Sequence, residues 1–288
     1  MESKLKIRCV ISIARSEYIR WIINPRILIV GVLFIFMHTL AVVPLLERAE
    51  KMKVPLTVFE PFVAIGNSGV IVLLLPCVFL ILISDYPVIS EFTLLCVQRT
   101  GKLNWFVGQI FFIIFSIFTY MCIIFVVSIL TSNGVFRTEW SETIRFYTSF
   151  YPDEYNSFTS ELIPSNLYNQ ISLIQSVFQT FFLMSAYLFL LVLVLYLFKL
   201  LNIKTFGLFA VFMIIGMGVS TCSIKTSAMW YFPMANAIIW LHYTEILRNP
   251  VIAISQSYVY FAIMITLLLL FNFIALKKIQ FRNIEWVR

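Results

Sequence analysis

Six long apolar stretches alternate with short polar and charged ones along this chain, at 27–46, 62–84, 106–130, 171–198, 205–223 and 257–276. Each approaches or exceeds the roughly 20 residues that carry a helix across about 30 Å of hydrocarbon. Backbone N–H and C=O groups have no water to bond in lipid, so each stretch is expected to be helical. The pattern predicts an all-α polytopic membrane protein with six transmembrane helices, in a single transmembrane domain over residues 1–288. Six spans and their connections nearly use up that length, which leaves no room for a separate soluble catalytic domain.

Ahead of the first span the periodicity changes. Ile7, Val10, Ile11, Ala14, Tyr18, Trp21 and Ile22 follow the spacing of one helical face, while Arg8, Ser12, Arg15, Ser16 and Arg20 fall elsewhere on the wheel. This predicts a basic amphipathic helix over 2–24 at the inner membrane surface, its apolar face dipping into the headgroup boundary. Such a helix serves either as an anchor or as a lever touching a cytoplasmic partner. Asn24-Pro25 then breaks it. The outer connections are unequal: 47–61 is short, and 131–170 is long enough for a small external cap, with Pro152 and Pro164 as breakers. Residues 224–256 stay apolar, yet MWYFPMANAIIWLHY is too short and interrupted to span. A re-entrant or surface-lying pair of half-helices around Pro233 is expected there, with protein burying the broken backbone. Trp230, Tyr231, Trp240 and Tyr243 bracket it as interfacial aromatics would.

Composition agrees with this reading, at 61% hydrophobic residues and a mean hydropathy of +0.94. The net charge of +7 is unevenly spread. With both termini and the 85–105 and 199–204 segments on one side, that side holds 14 Lys and Arg against five acids. The other side holds seven bases against nine acids. The bias places both termini in the cytoplasm of a multi-pass cell-membrane protein. Basicity here reports orientation, with the lipid bilayer as partner and no nucleic acid. The N-terminal MESKLKIRCV does not read as a cleavable signal. Cys9, Cys77, Cys96, Cys122 and Cys222 show no metal spacing and read as small apolar residues.

Few residues offer chemistry. A phosphate-binding loop needs G-x-x-x-x-G-K-[ST], and the one Gly-Lys pair, Gly101-Lys102, is followed by Leu103. His38 and His242 lie far apart, without the H-E-x-x-H spacing of a zinc site. No Asp or Glu falls at mid-depth in the spans, where Gln109, Gln175, Gln179 and Asn272 are the main polar insertions. This weakens an ion-coupled secondary transporter, which usually needs buried acids. Gly66-Asn67-Ser68-Gly69 resembles the G-x-S-G nucleophile motif of rhomboid intramembrane serine proteases. That alternative needs a base beside Ser68, and the later spans hold no histidine. Small residues allowing close helix packing explain the motif better. No catalytic, cofactor-binding or metal-binding residue is assigned to this chain.

The most specific segment joins the second and third spans. Over 85–105, Val88, Phe92, Leu95, Cys96 and Arg99 share one helical face, with Pro87 placed to start a helix and Gly101 to end it. Such a face either lies on the inner leaflet or enters a partner's groove. Glu91, Thr93, Leu94-Leu95, Arg99 and Gly108 are similar in order to the coupling region of type-2 ATP-binding cassette (ABC) exporter permeases. Phe92 stands where that family usually has a glycine, and its Pro-x-Ser before the arginine is missing. Phe232-Pro233 with Asn236 resembles the family's external Pro…Asn-Pro stretch, with Ala237 in place of the second proline. The amphipathic N-terminal helix, six spans and re-entrant segment before the last span extend the resemblance over most of the chain.

The resemblance implies the type-2 ABC permease fold and the transmembrane subunit of an exporter, in a bacterial cell membrane. Its cargo would be amphipathic or hydrophobic, such as a peptide, toxin, drug or lipid-like molecule. It also implies a second permease subunit, identical or related, and a separate cytoplasmic ATPase subunit that holds the ATP and Mg. Val88, Glu91, Phe92, Leu95 and Arg99 would then form the ATPase-coupling site, with Phe92 and Leu95 as apolar anchors. Phe232, Pro233 and Asn236 would belong to the re-entrant segment.

Overall fold

The computed structural model describes residues 5–87, 91–154, 162–244 and 250–278, and every regular element among them is helical. In chain order these are α1 (Ile7–Ile22), α2 (Leu28–Met37), α3 (Val43–Met52), α4 (Glu60–Asn67), α5 (Gly69–Ile83), α6 (Glu91–Thr100) and α7 (Lys102–Thr131). They are followed by α8 (Glu142–Phe150), α9 (Ser165–Tyr168), α10 (Leu173–Leu200), α11 (Lys204–Ile224), α12 (Pro233–Ala237) and α13 (Ile254–Lys278).

Among the described residues, five helical runs are long and apolar enough to cross a membrane: Pro25–Met52, Lys102–Thr131, Leu173–Leu200, Thr205–Ile224 and Ile254–Lys277. The second expected span is instead broken. Glu60–Asn67 and Ile71–Ile83 meet at an 80° bend, so the bundle has six spans only if that pair counts as one. Within the first run, His38–Val42 forms a π-turn just before Pro44. Proline cannot donate to the carbonyl one turn back, and the wider turn absorbs the mismatch.

The long helix α10 forms the centre. Its apolar window is 61% buried, against 22% for the runs of α11 and α13, whose outer faces are left to lipid. Asn272 on α13 is fully buried and donates to Leu193 O of α10 at 3.1 Å. At the other end of α10, Thr180 faces α4 at Gly66, where any Cβ would overlap the Thr180 methyl.

The N-terminal helix, expected as an amphipathic helix at the inner membrane surface, packs on protein. It runs along the first half of α7, from Lys6 N on Asn104 Oδ1 (2.7 Å) to Tyr18 Oη and Thr119 Oγ1 (2.8 Å). Gly108 permits this, since a Cβ there would sit 2.8 Å from Ile13 Cγ2 and 3.2 Å from Val10 O. Gly108 lies inside α7, which opens six residues earlier at Lys102. The apolar face is therefore split: Val10, Ala14 and Trp21 are buried, while Ile7, Ile11 and Ile22 stay exposed.

On the opposite side of the bundle from that packing, the described parts of the 131–170 connection, 131–154 and 162–170, pack against the ends of α3 and α4. The helix α8 starts at Ser141, whose hydroxyl accepts from Ile144 N. The fully buried Glu60 carboxylate ties this connection to α4, accepting from Ser141 N (2.6 Å), Ser141 Oγ (3.0 Å) and Thr57 N (2.9 Å). It sits at the N-termini of both α4 and α8, and burial pushes its carboxyl up to about 7 although the Ser141 and Thr57 hydrogen bonds oppose that. Thr57 Oγ1 also donates to Glu139 O, and Thr143 Oγ1 to Val54 O.

Candidate functional site

Two polar junctions lie at opposite ends of α10. The inner junction surrounds the connection between α5 and α7. Arg26 forms an ion pair with Asp85 (2.5 Å) and donates to Ser84 Oγ (3.1 Å), while Lys199 Nζ donates to Asp85 O. This joins the starts and ends of three helical runs through groups that are about 40% exposed. Tyr86 stacks near Phe112, with centroids 4.7 Å apart, and its hydroxyl points at Glu17 O.

Glu17 is the chemically unusual member. It shares the buried stripe of Val10, Ala14 and Trp21, and its contacts are long: Gln109 Nε2 at 3.5 Å and Arg20 Nη1 at 3.6 Å. Burial pushes its carboxyl above the ordinary range, and Arg20 and Gln109 only partly offset that. Sequence patterning passed over Glu17, although its spacing of three and four from Ala14 and Trp21 placed an acid on the buried stripe.

Beyond this junction, α6 ends at Gly101, whose φ of 88° is one that only glycine adopts without strain. The expected glycine stop is thus realised, and the described helix begins at Glu91. Val97 packs inward with Trp105, Phe106, Tyr196, Leu200, Ala275 and Leu276. Leu95 and Arg99, one turn apart, are exposed on the side away from Val97. Val88 lies outside the described residues, as do the side chains of Glu91 and Phe92.

The outer junction is built where two broken segments meet. Asn67 ends α4, and its side chain replaces what the break removes. Its Nδ2 donates to Val63 O and Thr180 Oγ1, both at 2.9 Å, and its Oδ1 accepts from Ile239 N at 2.8 Å. Its carbonyl accepts from Trp240 Nε1 at 2.9 Å. Broken backbone inside an apolar bundle needs such partners, because an orphaned buried amide costs about 1–3 kcal/mol.

The segment that supplies them consists of three short pieces rather than two half-helices: a 3-10 turn at Ser227–Tyr231, α12, and a 3-10 turn at Ile239–His242. Pro233 opens α12 and is buried, and Phe232 before it is half-buried. Asn236 donates to Trp230 O (2.9 Å) and Phe232 O (3.1 Å) and accepts from Ser257 Oγ (2.8 Å). His242 is buried, and desolvation lowers its pKa. Its Nδ1 lies 2.9 Å from Ile252 O, its Nε2 faces Ser257 Oγ at 3.4 Å, and the Asn236 backbone is a second hydrogen-bond partner of the ring. His242 thus meets Ser257, and among the described residues Ser68 has no hydrogen bond to a histidine. Asn67, Thr180 and Ser257 were not legible as partners, since the bonds join positions up to 173 residues apart.

Among the described residues, Leu95 and Arg99 of the coupling region and the Phe232–Asn236 group lie in separate places. No protein family, no curated protein and no solved structure matches the chain. The molecule is a polytopic helical membrane protein on the evidence of its own helices.

Proposed function

We propose that this chain is the transmembrane subunit of an ATP-driven exporter with the type-2 ABC permease arrangement. It works beside a second permease subunit in the cell membrane, with both termini cytoplasmic. A separate cytoplasmic chain binds ATP and Mg and hydrolyses the nucleotide. The cargo is amphipathic or hydrophobic: a peptide, a toxin, a drug or a lipid-like molecule.

The observation that carries this reading is α6. A ten-residue helix interrupts the connection between α5 and α7, is anchored by Val97 and leaves Leu95 and Arg99 free. The inner leaflet would accommodate an exposed leucine beside an arginine, and a helix seated in a partner's groove uses both. By resemblance, Glu91 and Phe92 share that task.

Purification of the tagged chain from its native membrane tests the proposal. A co-purifying chain with a phosphate-binding loop is expected. Leu95→Asp should lower its recovery at least tenfold, and Phe92→Asp should abolish substrate-stimulated ATP hydrolysis, with membrane insertion and thermal unfolding unchanged. Full recovery with Leu95→Asp would remove α6 from the interface. Absence of any ATPase chain from the unmodified complex would overturn the class itself.

A further inference from the structure

A series of phenylalanine rings runs from the outer connection down between α4, α7 and α10. Phe136 meets Phe59 edge-on at 6.0 Å, Phe59 stacks on Phe125 at 6.2 Å, and Phe125 meets Phe62 edge-on at 5.0 Å. Phe62 then approaches Phe181 at 6.5 Å, and Phe181 meets Phe118 edge-on at 5.9 Å. Phe118 and Phe125 are the rungs on α7 and lie seven residues apart, so that part of the series follows about 10 Å of helix axis at 1.5 Å per residue.

Its rungs are not simply core. Phe62 is sealed, but Phe118 is 57% exposed and Phe136 is 74% exposed, so both ends open to the outside of the bundle. Phe182, whose ring touches Phe181 at 5.9 Å, is exposed as well. The lower end faces the hydrocarbon. The upper end opens into a cleft of about 590 Å3 lined by Phe59, Phe136, Arg137, Thr138, Glu139 and Ile174. That volume suits a small organic group. One cation and one anion stand at its mouth, and the rungs below carry no polar atom.

This combination selects a ligand with a long apolar tail and a head bearing both charges. We propose that the cleft and the partly exposed rings beside it bind a zwitterionic phospholipid of the surrounding bilayer. An acyl chain lies against Phe118, Phe181 and Phe125, the phosphate meets the Arg137 guanidinium, and the head ammonium meets Glu139. Guanidinium matches phosphate through paired hydrogen bonds, and an ammonium also gains from the exposed face of Phe136. Flat aromatic walls order a chain at little entropy cost to the protein, because Phe has only two side-chain torsions. The site is independent of what energises the protein, so it stands or falls separately from the exporter reading.

The test uses the full chain in nanodiscs of equal phosphatidylethanolamine and phosphatidylglycerol, with a benzophenone side chain at position 136. A second preparation carries the probe at Phe271, an exposed residue of α13. Illumination followed by mass spectrometry should show phosphatidylethanolamine adducts at 136 enriched at least fivefold over phosphatidylglycerol. Adducts at 271 should mirror the bilayer. Adding Arg137→Ala with Glu139→Ala should return position 136 to the bilayer ratio. Folding should be unaffected, because both residues act through exposed side chains and the Thr57 bond to Glu139 uses the backbone carbonyl. Equal labelling by both lipids at 136, mainly protein adducts there, or enrichment that survives the double substitution would each overturn the site.

Discussion

The outer and inner junctions solve the same problem, polar groups at the edge of an apolar bundle, in opposite ways. At the outer end every polar atom of the Asn67 side chain is matched, at 2.8 to 2.9 Å, to a group buried with it. At the inner end the Arg26–Asp85 pair is about 40% exposed, and the buried Glu17 has partners only at 3.5 and 3.6 Å. Exposed pairs of this kind contribute about 1 kcal/mol or less. The outer junction is therefore a fixed knot, while the inner one is held by contacts that can be exchanged at small cost. On the exporter reading proposed above, that asymmetry would give a firm far end and an adjustable near end.

Crowding the outer knot should have the largest effect. Gly66→Ala forces a methyl into the Thr180 methyl across α4 and α10 and should cost about 3 kcal/mol of stability. Thr180→Ser removes that methyl while keeping the hydroxyl that Asn67 uses. The double variant should recover most of the loss in thermal unfolding. Strictly additive losses would show that the two positions do not press on each other.

An intermediate effect is expected where α1 lies on α7. Gly108→Ala gains about 1 kcal/mol of helix propensity but meets the Val10 carbonyl, which is backbone and cannot turn aside. The net loss should be about 1 kcal/mol, confined to α1. Hydrogen exchange should quicken several-fold over Val10–Trp21 while α10 keeps its protection. Uniform quickening of both would remove the distinction between a firm and an adjustable end.

The smallest effect concerns Glu17. Its carboxyl titrates higher in the folded protein than the ordinary 4.5. In that window the folded state holds the proton more tightly, so stability falls as pH rises from 4.5 through the folded value. Glu17→Gln removes the buried charge and should gain on the order of 1 kcal/mol at pH 7–8 and little near pH 4. Unfolding curves of the two proteins that stay parallel from pH 4 to 8 would show that Glu17 carries no such penalty.

Much of this architecture is written locally. The long apolar runs, the stop at Gly101 and the break before Pro25 follow from the local chain, and the structure has all three. The external connection was legible as a long one with two prolines, yet its clasp was not, because Glu60 and Ser141 are 81 residues apart. The segment around Pro233 read as broken, but its division into three pieces depends on Asn67 supplying an acceptor to Ile239 N. For the N-terminal helix, periodicity found an apolar face and could not tell which part meets protein and which part meets lipid. Val10 and Ile11 look alike in sequence, and only one is buried on α7.

What the chain alone determined is its solvent and its helicity. Lipid offers the backbone no partners, so long apolar runs become helices wherever they later pack. What only the tertiary structure decided is where those helices break and which polar atoms close the breaks. A span can end at Asn67 because Ile239, Trp240 and Thr180 arrive from distant parts of the chain to take its hydrogen bonds. The inner end received no such closure for Glu17, and that difference sets the firm end of the molecule apart from the adjustable one.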